Sequence, residues 1–210
     1  MANRSYLFVK TKDDECKGLS ECAYEIPLSH ILLVSGDTQK VTSRVFDSDL
    51  PWAIEGDFDQ GYKKLFDFLE QCKSKDIIST EQYEQMITEA HAALDQYLNT
   101  GARVLLEPVE IFEMEDPEDF EEFDSSAYDE DDELADAFFA FMVDDVINTM
   151  IKPSSGYIKD SLAQLQVFKE QGQIDAIGSN KNPVGYIKDS GMCRVENYTI
   201  LTFKEWELSY

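Results

Sequence analysis

The chain has 210 residues, 43% apolar and 12% aromatic, enough to bury a sizeable core and too rich in Phe and Tyr for a disordered segment. Its 43 Asp and Glu stand against 18 Lys and Arg, a formal charge of −25, which repels nucleic acid and anionic membranes and steers cationic proteins inward. No apolar run reaches the roughly 18–20 residues that cross a bilayer, and the opening residues lack the apolar centre of a signal peptide, so a soluble cytoplasmic protein is expected.

Arg4 to Lys10 carries Tyr6, Leu7, Phe8 and Val9, a run suited to a buried strand. Thr11 to Gly18 is polar and reads as a loop. Leu28 to Ser35 follows as a short helix with Pro27 at its opening and Gly36 at its close. His30 within it has no second ligand nearby and reads as a surface or core residue. Val41 to Phe46 and Pro51 to Glu55 are short extended pieces, with Trp52 an anchor of the core.

Gly56-Asp57 opens a helix in which Tyr62, Leu65, Phe66 and Leu69 form one apolar stripe. Ser79 with Gln82 three residues on has the form of a capping box, and Tyr83, Met86, Ile87, Ala90, Leu94, Tyr97 and Leu98 continue a second helix toward Gly101. These two pack as a helical hairpin across Cys72 to Ile78, with His91 at its boundary. Ala102 to Met114 reads as a strand in which Pro108, unable to donate to a ladder, marks an edge or a break.

Val104 to Ile151 contains no Lys or Arg and 18 acids. The acids are densest from Glu113 to Asp136, with Phe120, Phe123 and Tyr128 set among them. A purely solvating tail is poor in aromatics; this alternation suits a segment that docks its rings and presents its charges. Leu134 to Ile151 then forms a helix apolar on more than one face, hence either a core helix between two layers or a helix in an interface. Pro153 ends it. Gly156-Tyr-Ile-Lys-Asp-Ser161 recurs as Gly185-Tyr-Ile-Lys-Asp-Ser190, too few copies for a solenoid. Leu162 to Gly172 continues as a helix and Met192 to Tyr210 suggests a strand pair.

The sequence lacks GxGxxG, P-loop, GxSxG and HExxH patterns. Asp124 to Asp136 fails as a calcium loop, with no Gly at the sixth position and no Glu at the twelfth from either Asp124 or Asp129. Cys16, Cys22, Cys72 and Cys193 lack metal or redox spacing and read as reduced thiols, Cys72 in the core, with a Cys16–Cys22 disulfide as the alternative. No metal, cofactor or catalytic residue is assigned.

The opening Met-Ala-Asn-Arg-Ser-Tyr-Leu-Phe, Gly18-Leu-Ser-Glu with Tyr24-Glu-Ile-Pro-Leu28, Ala53-Ile-Glu-Gly-Asp57 with Gly61 and Leu65-Phe-Asp-Phe-Leu69, and Leu106-Glu-Pro with Glu110-Ile-Phe-Glu-Met114 resemble a family of bacterial proteins that begin M-A-N-R-S-Y-L-Y, a domain of unknown function. The resemblance covers the chain to Met114 and again near its C-terminal end. The acidic stretch and the aromatic helix depart from the pattern.

The expected fold is α+β over residues 1–210: a mostly antiparallel sheet packed by the helical hairpin, with an acidic insertion at 115–133 and a further apolar helix. The expected function is that of an immunity-type inhibitor of a basic toxin. Its partner-binding residues are Glu115, Asp116, Glu118, Asp119, Phe120, Glu121, Glu122, Phe123, Asp124, Tyr128, Asp129, Asp131 and Asp132. Two alternatives stand beside it. One is an enzyme or small-ligand binder using Glu25, Trp52, Glu55 and Asp57; the other is a DNA mimic that occupies a nucleic-acid-binding protein.

Overall fold

Alternation in the short apolar runs sets the sheet. The computed structural model describes residues 3–128 and 130–170, the Asp131 and Phe168 side chains excepted. Within them lie strands β1 (Arg4–Lys10), β2 (Cys16–Ala23), β3 (Gln39–Val41), β4 (Ala53–Asp57) and β5 (Arg103–Glu107). They form one antiparallel sheet in the order β2-β1-β5-β4-β3. The fold is α+β, as expected. The strand pair at Met192–Tyr210, the second hexapeptide copy, Cys193 and Asp129 lie outside the described residues.

Two expectations are corrected here. The polar loop expected at Thr11–Gly18 is shorter: Thr11 to Glu15 make a tight turn, with Thr11 N donating to Glu15 O and Asp14 at φ 65°, and Cys16 to Gly18 already belong to β2, where they are exposed. The strand at Ala102–Met114 stops at Glu107, and Val109–Phe112 is the short helix α4. Pro108 marks a break rather than an edge, since β5 lies at the middle of the sheet. The carboxylate of Glu110 in α4 accepts from Arg4 N at 2.9 Å and Tyr6 Oη at 2.6 Å, holding the first strand.

Register assigns the two faces. Ile54, Leu106 and Leu7 lie side by side, as do Gly56, Val104 and Val9, and this row faces the helices. The opposite face carries Glu55, Leu105 and Phe8, then Asp57, Arg103 and Lys10. Glu55 is buried there, within 2.8 Å of Lys10 Nζ and 3.0 Å of Arg103 Nε. Burial raises its pKa, and Lys10, Gln39 and Arg103 more than offset this to leave it below the usual value. Glu107 is fully buried and accepts from Ser43 Oγ at 2.8 Å and Arg44 N at 2.6 Å, fastening the β3–β4 connection over this face.

On the helix side, α1 (Leu28–Val34) is buried from Ser29 onward. It meets the sheet and α2 (Phe58–Ser74) at two glycines: a Cβ on Gly56 would stand 2.2 Å from Val34 O, and one on Gly61 1.8 Å from Leu33 O. The α1 backbone therefore touches β4 and α2 without an intervening side chain. Asp57 caps α2 by accepting from Gln60 N. α3 (Thr80–Leu94) carries the expected capping box, Ser79 Oγ accepting from Gln82 N and Gln82 Oε1 from Ser79 N. Phe66 and His91 lie 4.7 Å apart where the two helices meet, and the Tyr62 hydroxyl donates to Asp95.

His30 is a core residue. Its Nε2 lies 3.0 Å from Ser20 Oγ and its Nδ1 3.5 Å from Ser5 Oγ, and all three residues are fully buried. This polar triad pins α1 to the β1–β2 hairpin. Cys16, Cys22 and Cys72 are free thiols, Cys72 in the core. No described helix is long and apolar enough to cross a membrane.

Candidate docking surface

After α4 the chain cannot continue a helix, because Pro117 and a succession of aspartates favour turns. Asp116 caps a single turn at Pro117–Asp119 by accepting from Glu118 N, and Asp124 caps another at Ser125–Ala127 by accepting from Ser126 N. These local bonds need no tertiary partner, so the segment holds its shape while its carboxylates remain outside.

The rings point the other way. Phe120 lies 5.4 Å edge-on to Phe138, Phe123 lies 5.2 Å from Phe138 and 5.3 Å from Phe141, and Tyr128 stacks on Phe123 at 5.8 Å. Phe138 and Phe141 belong to α5 (Asp131–Val146). Edge-to-face pairs of this kind add about 0.5–1.5 kcal/mol each beyond the area they bury. The three segment rings are only half-buried, so they fasten the acidic segment to α5 and keep part of their surface in water.

This explains the helix that was apolar on several faces. Phe138, Met142, Val143 and Val146 enter the core. Phe141 receives the segment rings, and Phe139 meets Trp52 edge-on at 5.4 Å while Trp52 Nε1 donates to Asp136 O at 3.3 Å. Of the two sequence-level alternatives, the core helix describes α5, covered on its remaining side by its own chain. A π-helical stretch, Ile147–Ile151, follows before Pro153.

The electrostatics follow from what stays outside. Glu113, Glu115, Asp116, Glu118, Asp119, Glu121, Glu122, Asp124, Glu130, Asp132 and Glu133 are exposed. None of them pairs with a described lysine or arginine, whereas Asp144 behind them lies 2.8 Å from Lys40 Nζ. Asp145 sits partly buried near Glu122, and burial first, then that neighbouring charge, raises its pKa. Among the described residues no three His, Cys, Asp or Glu are grouped to hold a metal ion.

The structure thus brings Glu115, Asp116, Glu118, Asp119, Phe120, Glu121, Glu122, Phe123, Asp124 and Tyr128 onto one segment backed by α5, with Asp132 in the first turn of that helix. Asp131 begins that helix, and Asp129 is not described. The residues of the alternative site do not converge. Trp52 packs on α5, Glu55 is held by Lys10 and Arg103, Asp57 caps α2, and Glu25 accepts from Cys22 Sγ at 3.5 Å and, through its carbonyl, from Ser5 Oγ at 2.7 Å. Sequence reasoning missed a lysine-rimmed cleft beside α6 (Tyr157–Glu170). Its residues are far apart in the chain, and the repeated hexapeptide was the one sequence signal that touched it.

Fold and site together define an α+β protein whose exposed acidic segment is fastened by aromatic rings to a helix of the core. Residues 8–146 match the family described as Domain of unknown function (DUF7822), and the chain belongs to that family. The match runs through the acidic segment and α5, past the Met114 limit of the earlier resemblance, so both are part of the family's domain. Neither the curated proteins nor the solved structures gave a match.

Proposed function

We propose that the protein is an immunity-type inhibitor that binds and neutralises a basic protein partner, such as a cognate toxin, through the acidic segment at 113–133. One observation carries the reading: eleven exposed carboxylates without a described cationic partner stand on the first turn of α5 and on the preceding segment, which its own aromatic rings hold from beneath. Crowded like charges oppose compactness, so this arrangement contributes nothing to stability that a mixed-charge surface would not do better. It is well suited to steering a cationic surface, with association rates up to about 10⁸–10⁹ M⁻¹s⁻¹ at low salt. The half-exposed Phe120, Phe123 and Tyr128 supply apolar area at its centre, where affinity concentrates.

The test separates binding from folding. Combined replacement of Glu115, Glu118, Glu121 and Glu122 by Gln and Asp119 by Asn is expected to leave the melting temperature unchanged or raised, because the removed charges repel one another. The same variant is expected to associate with the captured partner about 10–10³-fold more slowly at low salt. Undiminished association overturns the reading. A lowered melting temperature together with undiminished association assigns the acids to the fold.

A further inference from the structure

Three lysines of this acidic chain converge on one cleft. The cleft, of about 400 Å³, opens between α1, α2 and the turn into α6, a volume within the roughly 300–1,000 Å³ of small-molecule sites. Its apolar wall includes Leu32, Phe68 and Leu162, and Lys64, Lys152 and Lys159 are among its polar lining. Gly156 to Lys159, from the first copy of the repeated hexapeptide, lines it as well.

The cleft gathers three lysines that no described carboxylate neutralises. Three lysines elsewhere are neutralised by carboxylates, Lys10 by Glu55 at 2.8 Å, Lys40 by Asp144 at 2.8 Å and Lys63 by Asp67 at 3.6 Å. In the cleft, Lys64 donates to Ser35 O, closing the end of α1, and Lys152 donates to the neutral Asn148 Oδ1. Neither these two nor Lys159 pairs with a described carboxylate. Asp67, the acid on the lining, is exposed and engaged by Lys63. An ammonium has three N–H donors, so Lys64 and Lys152 each keep donors beyond the bond they make.

We infer that this cleft binds a small organic anion, its carboxylate or phosphate held by Lys152 and Lys159 and its apolar body against Leu32, Phe68 and Leu162. The field of a chain at −25 repels anions at long range, so binding here has to come from the local lysines and is not a background property of the surface.

The experiment is calorimetric titration of the full chain with decanoate and with adenosine 5′-monophosphate, each beside its neutral counterpart, decanol or adenosine. At least one anion is expected to bind saturably, and its neutral counterpart at least about tenfold more weakly. Combined Lys152→Gln and Lys159→Gln is expected to weaken the anion by about ten- to hundredfold, the usual range for losing charged hydrogen bonds. Both side chains are exposed, so the melting temperature should hold. The acidic-segment variant should bind as the native chain does, which keeps this site distinct from the docking surface. Preference between the probes separates a fatty carboxylate from a nucleotide phosphate. Failure of both anions to saturate at millimolar concentration, or undiminished binding to the double-lysine variant, overturns the inference.

Discussion

Replacing Gly61 by Ala is expected to remove about 3 kcal/mol or more of stability, the upper end of ordinary overpacking. The new methyl would meet Leu33 O at 1.8 Å, with Leu33 C at 2.6 Å and Cα at 2.9 Å. These are backbone atoms of α1, itself buried from Ser29 to Val34, so no flexible side-chain end can swing aside. Relief requires α1 to lift from α2, which also strips Gly56 of its contact with Val34. For a domain of this size such a loss lowers the melting temperature by about 6–12 °C.

Gly101 supplies the control. Its φ is +74° but among the described residues no atom beyond its chain neighbours lies within 4 Å of an added Cβ, so Gly101→Ala carries only left-handed backbone strain, about 1–2 kcal/mol. Thermal unfolding of the two variants measures the difference. Equal losses would show that α1 and α2 do not meet backbone to side-chain-free backbone as described.

The second large effect is on acid stability, through His30. Its ring is fully buried between Ser20 and Ser5, and burial lowers its pKa to about 3 from an ordinary 6.5. The folded state therefore holds His30 neutral between those values while the unfolded state takes up a proton. Stability rises with pH across this window and falls as pH drops below 6.5, by up to about 1.4 kcal/mol per pH unit.

Glu107 works in the opposite direction. Burial raises its pKa, partly offset by the Arg44 and Val45 N–H groups and Ser43 Oγ. Its proton uptake favours the fold as pH falls, and that contribution is lost as pH rises through the folded pKa. Relief of self-repulsion adds to it. The histidine contribution must therefore be read as a difference. His30→Gln, which cannot titrate, is expected to be less stable than the native chain at pH 7, and that deficit should shrink by about 2–3 kcal/mol between pH 6.5 and 4.5. Denaturant unfolding at several pH values checks it, and a deficit constant with pH would mean that His30 titrates alike in both states.

What the sequence disclosed depended on how each element is covered. α2, α3 and α5 were legible because each has apolar residues at helical spacing, and Ser79 with Gln82 announces an N-terminus by reciprocal bonds local to the chain. β1 was legible because it is covered on both faces. β2 was not, because its edge position lets Lys17, Gly18 and Ser20 stand in a strand without alternation, and its pairing with β1 is a long-range fact. Val109–Phe112 looks like a strand on β-branched and aromatic content, yet Pro108 supplies the start of a helical turn there. The three-way covering of α5 left only the ambiguity that its sequence shows: rings all round, with no indication that Phe120 and Phe123 supply one side of the cover.

The acidic segment was legible as a composition and its orientation was not. Asp116 and Asp124 read as two more acids in a run, and only the fold shows that each also caps a backbone turn while staying exposed with its neighbours. Lys64, Lys152 and Lys159 were invisible as a group, since a sequence pattern cannot gather residues nearly half the chain apart.

The most direct test of the docking surface is capture of partners from the native cell by the tagged chain at low salt, repeated at about 0.5 M salt, where the Debye length is roughly 4–5 Å. One basic protein is expected to be retained in stoichiometric amount through the high-salt wash, to be inhibited by the native chain, and to be lost when the acids at 115–122 are neutralised. A partner held equally well by the neutralised chain, or no stoichiometric partner at either salt, would contradict it.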